Sequence, residues 1–135
     1  MRKMLCIAAA CCLPLTAQAE NLVGESVKLR ALDKVTAKTQ DFDVKIGDTL
    51  NFQSLTISVP HCEKKPPEET PETYAFVQIK DNRLDGKGET DEPETVFSGW
   101  MFSSSPALNG LEHPVYDVWV IGCTPKPQRI EGLRR

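Results

Sequence analysis

Apolar and polar residues alternate along much of this chain with a period of two. Val27, Leu29 and Ala31 are separated by Lys28 and Arg30, and Phe42, Val44 and Ile46 by Asp43 and Lys45. Successive side chains of a strand point to opposite faces, so each run predicts a strand with one buried face. Gly47-Asp48 is a turn signal and Leu50-Asn51-Phe52 opens the return. Leu55, Ile57 and Val59 then alternate with Thr56 and Ser58 until Pro60, which has no amide hydrogen to give a ladder and is expected to end it.

Three later runs, Tyr74–Lys80 (YAFVQIK), Val96–Phe102 (VFSGWMF) and Val115–Cys123 (VYDVWVIGC), are apolar on both faces at their centres and predict strands within the sheet. Glu63–Thr73 (EKKPPEETPET) offers proline and charge but no core side chain, which predicts an exposed, extended loop. Asp81–Thr95 is a second polar loop. Ser105-Pro106 places an N-cap residue before a proline, predicting one helical turn over Pro106–Asn109 that closes near Gly110. The pattern predicts an all-β fold: a small single-domain sandwich or barrel of about seven short strands.

The first nineteen residues stand apart from this pattern. Arg2 and Lys3 precede an apolar stretch, Met4–Leu15, and Ala17-Gln18-Ala19 puts small residues where a signal peptidase reads them. The stretch is shorter than the roughly 20 apolar residues a spanning helix needs. The expectation is a signal peptide over 1–19, cleaved between Ala19 and Glu20, and a periplasmic protein without a transmembrane span. Removing nineteen of the 135 residues leaves 116, and losing Arg2 and Lys3 takes the formal charge from −3 to about −5. That length suits one domain: a tether at 20–25, a β-domain at 26–123 and a flexible tail at 124–135. The acidic balance argues against nucleic-acid binding, which needs a basic stripe.

Cys6, Cys11 and Cys12 leave with the leader, so Cys62 and Cys123 remain. In an oxidising compartment a lone pair of this kind is expected to form one structural disulfide. Closing so long a loop is worth about 4 kcal/mol in the chain-entropy model. Redox chemistry would call for C-x-x-C spacing, and a zinc site for more ligands than His61 and His113 add.

Candidate chemistry is sparse. Asp81–Glu92 (DNRLDGKGETDE) matches a calcium loop at Asp81, Asp85, Gly86 and Glu92, but Arg83 puts a cation where the third ligand belongs and no helix precedes it. The better reading is a solvated acidic turn with no metal. Ser103, Ser104, Ser105, His113 and Asp117 lie close in sequence, but no G-x-S-x-G elbow accompanies them and Ser105 has a capping role. No catalytic residue is assigned. Trp100, Phe102, Tyr116 and Trp119, with Met101 among them, hold much of the large apolar mass of the C-terminal half. In so small a domain one sheet face can remain uncovered by its own chain, and an apolar patch there marks a contact site. The partner-binding residues expected are Trp100, Phe102 and Tyr116, with Arg129 and Arg134 of the tail.

The string FSGWMFSSSPALNGLEHPVYDVWVIGC within Val96–Cys123, with LRALDKVTAKTQDFDVKIGDTLNFQSLTISVPHCEKKPPEETPETYAFVQI upstream, resembles an exported alphaproteobacterial family, domain-of-unknown-function family 2155. The resemblance runs from about Val27 to Cys123. It implies a small exported protein with no assigned catalytic activity. It also implies genes that often stand beside one for an accessory subunit of the proton-pumping NADH:quinone oxidoreductase, respiratory complex I.

The expected function is therefore a non-catalytic periplasmic interaction module. It would be an accessory subunit or assembly partner of an inner-membrane complex, with complex I the first candidate. It would be monomeric apart from that partner and hold no cofactor of its own. The alternative is a soluble cell-envelope binding protein for a lipid or small ligand. A hydrolase using His113 is the third reading.

Overall fold

The computed structural model describes residues 19–82 and 92–128. Seven strands appear in them: β1 (Leu22–Asp33), β2 (Lys38–Lys45), β3 (Thr49–Phe52), β4 (Leu55–Lys64), β5 (Thr73–Asp81), β6 (Glu94–Phe102) and β7 (Tyr116–Pro125). All pairings are antiparallel and join the strands into one sheet, β2-β1-β4-β5-β6, with β3 also on β4 and β7 on β1. Among the described residues there is no helix, and none long and apolar enough to cross a membrane.

β1 joins the two halves of the sheet. Its first residues, Leu22 and Val23, pair with Lys64 and Glu63 of β4. From Ser26 to Asp33 it lies between β2 on one side and β7 on the other. The sheet thereby folds over on itself and packs β7 against β4 and β5 without hydrogen bonds between them. Among the described residues β6 and β7 do not pair, so the fold is an open, folded sheet rather than a closed barrel.

The alternating residues fill the space between the halves. Val27, Leu29 and Ala31 meet Leu55, Ile57, Val59, Val77, Ile79, Val118 and Val120, all almost fully buried. Burying each of these Val, Leu and Ile side chains stabilises by about 1.5–3 kcal/mol. Phe42, Phe52 and Tyr116 close one end with edge-on ring contacts at 5.8 and 5.6 Å. Gly47 takes φ 93°, the left-handed conformation its turn requires.

Four expectations change. The segment expected as a tether at 20–25 is strand from Leu22, because backbone pairing to β4 needs no alternating side chains. β7 likewise runs through Thr124 to Pro125, and the Lys126 amide donates to the Val23 carbonyl, so the tail starts later than position 124. Pro60 does not end β4. A register shift between Ser58 and His61 forms a bulge that absorbs it, and the strand continues to Lys64. The segment expected as a helical turn over Pro106–Asn109 forms hydrogen-bonded turns, with the Leu108 amide donating to the Ser105 carbonyl.

Candidate functional site

The bulge at Pro60 decides what faces outward. Without it, strand parity would turn His61 and Glu63 toward the core and Cys62 away from it. With it, Cys62 is buried, and His61 and Glu63 join the outer face of β4-β5-β6. Register then places His61 beside Phe76 and Phe76 beside Trp100, while Glu63, Tyr74 and Phe102 form the next row. The Trp100 ring meets Phe76 at 5.5 Å, Tyr74 at 5.8 Å and His61 at 6.1 Å, all edge-on, and Tyr74 meets Phe102 at 6.3 Å. Trp100 is 40% exposed. Farther along the same face the side chains are polar: Thr56, Ser58, Gln78, Lys80 and Thr95 line a shallow depression.

Beside the rings sits a carboxylate cluster. Glu63 accepts hydrogen bonds from the Tyr74 hydroxyl at 2.5 Å, His61 Nε2 at 2.7 Å and Asn21 Nδ2 at 3.0 Å. Asn21 Nδ2 also donates to the Tyr74 hydroxyl oxygen. The bonds from Tyr74 and His61 hold the Glu63 carboxyl below its ordinary value. Burial, with the Glu63 charge beside it, pushes the Tyr74 phenol up to about 12. A Tyr116→Phe variant leaves Tyr74 as the sole tyrosine, so its ultraviolet phenolate titration is expected to lie near 12 and to fall toward 10 on unfolding. The unfolded chain loses this proton first, so stability declines as pH rises from about 10 toward 12. Glu63 acts at the other end of the scale. Its contribution is present above the ordinary carboxylate value and is lost as pH falls through the lowered one. A folded-state titration at 10 would refute the cluster.

Two more polar clusters tie loops to strands. Glu72 accepts from the Thr73 amide at 3.0 Å, Ser103 Oγ at 3.1 Å, the Ser104 amide at 3.2 Å and Ser104 Oγ. Burial pushes its carboxyl up, but the Ser104, Ser103 and Thr73 bonds outweigh that and hold it below the usual range. Inside the fold, His113 Nε2 lies 3.0 Å from Asp81 Oδ2, and both side chains are nearly inaccessible. His113 Nδ1 accepts from the Val115 and Tyr116 amides at 3.1 and 3.0 Å. A nitrogen that accepts two amide hydrogens does not carry its own, which places the ring proton on Nε2, facing Asp81.

The structure thus separates the serines from the histidine: Ser103 and Ser104 bind Glu72, while His113 pairs with Asp81 and not Asp117. Trp100 and Phe102 come together. Tyr116 does not join them; it stacks on His113 at 5.3 Å and packs against Phe52. Arg129 and Arg134 lie outside the described residues, as does most of the Asp81–Glu92 segment. Among the described residues no cluster of three or more His, Cys, Asp or Glu is arranged to hold a metal ion. Ala19 and Glu20 line a surface cleft with Glu63, Lys65 and Glu69.

Cys62 and Cys123 form a disulfide between β4 and β7, with Cα atoms 6.1 Å apart and a sequence separation of 61. The bond lies against the bare Cα of Gly24, where β1 passes from one half of the sheet to the other.

The family described as "Uncharacterized protein conserved in bacteria (DUF2155)" matches residues 27–123, from the first core valine of β1 to the disulfide cysteine of β7. The chain belongs to this family. The uncharacterized protein RP359 of Rickettsia prowazekii (strain Madrid E) is 30% identical to it over 96 residues. That alignment covers 71% of this chain and 59% of the relative, so the chain spans less than two thirds of that protein's length. No solved structure matches. The match takes in both disulfide cysteines, the Pro60 bulge and the outer aromatic rows on β5 and β6.

Proposed function

We propose that this protein is a non-catalytic interaction module of the periplasm, an accessory subunit or assembly partner of an inner-membrane complex. Respiratory complex I is the first candidate. The observation that carries the reading is the aromatic row on the outer face of β4-β5-β6. Tyr74, Phe76, Trp100 and Phe102 bring their rings together there on a solvent side, with Trp100 40% exposed. Aromatic clusters outside the core mark contact sites, and Trp and Tyr are the residues that most often dominate binding energy. The core between the sheet halves is filled by side chains, which favours a surface contact over an enclosed small ligand. The choice of complex I rests on the gene association that the family resemblance implies.

The test is to tag the chromosomal copy, solubilise membranes gently and follow the protein on a native gel. Co-migration with complex I at near-equal stoichiometry is expected. Trp100→Ala is expected to weaken the association by about 2 kcal/mol or more, roughly thirtyfold. It is also expected to cost about 1–2 kcal/mol of stability, because the ring packs edge-on against Phe76, Tyr74 and His61, so association is read well below the unfolding midpoint. Migration as a free small protein, with none in the membrane fraction, would overturn the proposal.

A further inference from the structure

We propose that β7 is a docking edge for an extended segment of a partner polypeptide, which adds to the sheet as an eighth strand on the side of β7 away from β1. The proposal rests on the reading of the protein as an interaction module, and uses a surface other than the aromatic face. Among the described residues β7 hydrogen-bonds to β1 alone. Two clefts lie along its other side. One, of about 470 Å³, is lined by Asp117, Val118 and Trp119 together with the Pro106–Leu111 turns. The other, of about 460 Å³, is lined by Ile121, Gly122 and Cys123 together with the Lys64–Thr73 loop.

The identity of those residues fixes the geometry. Neighbours on a regular strand send their side chains to opposite faces, so the cleft lined by the consecutive Asp117, Val118 and Trp119 is looking at the strand's edge and its backbone. What an open edge offers is a row of amide hydrogens and carbonyl oxygens at strand spacing, and the ligand that satisfies such a row is another extended chain. Asp117–Cys123 gives an edge of about 23 Å at strand rise, stepped at Ile121, where the pairing with β1 shifts register.

Charge sets the chemistry at the two ends. Asp117 supplies a carboxylate at the start of the edge and Lys64 an ammonium near its end, while Lys65 is already paired with Glu69 at 3.2 Å. An antiparallel segment with alternating apolar residues, an acidic residue at its start and a basic one at its finish is complementary to both.

The test uses the oxidised mature protein and a blocked heptapeptide, Glu-Val-Thr-Val-Thr-Val-Lys, as the probe. Its control is the same peptide N-methylated at alternate amides, which keeps the side chains but cannot pair. In the free protein, the β7 amides that point away from β1 are expected to exchange quickly with solvent. Adding the peptide is expected to slow them and to shift the resonances of residues 117–123, with N-methylation weakening binding by about tenfold or more, as loss of two or three backbone bonds requires.

No shift at millimolar peptide would overturn the proposal, as would equal binding of both peptides or shifts centred on Trp100. Protection of the same amides in the free protein by self-association would give the edge to a second copy, and would overturn it too. None of these results depends on the native-gel experiment, so the two proposals stand or fall separately.

Discussion

Gly24→Ala is expected to cost the protein about as much as loss of its disulfide. A Cβ built on Gly24 overlaps both Cys62 Sγ and Cys123 Sγ and lies 3.3 Å from the Cys62 carbonyl oxygen. Neither sulfur can yield, because the bond fixes them to each other and their strands carry the core. β1 cannot retreat either, since Leu22 and Val23 are paired to β4 and Gly24 to Pro125 of β7. The variant must therefore shift β1 or leave the cysteines reduced. Closing a loop whose ends are 61 positions apart is worth about 4 kcal/mol, a large share of the roughly 5–15 kcal/mol typical of a domain. Denaturant unfolding and alkylation of free thiols would measure the loss and its route. Replacing both cysteines with alanine removes the overlap, so Gly24→Ala in that background is expected to cost well under half as much. Equal costs in the two backgrounds would show that the close approach is not the cause.

His113→Ala is expected to destabilise the fold by about 2–3 kcal/mol, the upper part of the range for leaving buried hydrogen-bonding groups without a partner. The ring organises the start of β7: one nitrogen faces Asp81 at the end of β5, and the other receives the amides of Val115 and Tyr116. Its backbone carbonyl also accepts from Lys34 Nζ at 2.8 Å, tying in the turn after β1. Alanine removes the imidazole from Asp81 and the acceptor from two backbone amides, while keeping the carbonyl. His113→Asn retains a short acceptor and is expected to recover part of the loss. An alanine variant with an unchanged unfolding midpoint would refute the structural role given to this residue.

The strands were readable because their signal is local. Every residue pair that makes Val27–Ala31 or Leu55–Val59 a half-buried strand lies two positions apart. The bulge was not readable, because Pro60 carries the same signal whether a strand stops or steps past it, and only the pairing to β5 decides. That one residue determines the inward turn of Cys62 and the outward turn of His61 and Glu63, so it also hid half of the candidate site. Trp100 and Phe102 share one strand's parity, so they lie on one face. Tyr116 lies apart from them because β7 belongs to the other half of the sheet. The pairs Asp81–His113, Glu63–Tyr74 and Glu72–Ser103 join positions 32, 11 and 31 apart. No spacing rule connects them, and Asp81 had instead suggested the first ligand of a calcium loop.

The pairing of β1 with β7 also has a consequence in time. The first strand of the domain finds its longest partner in the last, Asp33 meeting Tyr116 and Gly24 meeting Pro125. As the chain emerges N-terminus first, β1 must wait with one edge open until nearly the whole domain has followed it. Contacts of such long sequence separation make folding slow, in the range of milliseconds to seconds for comparable β domains. Assembly of this domain is therefore a closing step: β1 with β2, and β3 to β6 among themselves, can form local hairpins early, but the core and the disulfide are completed together when β7 arrives.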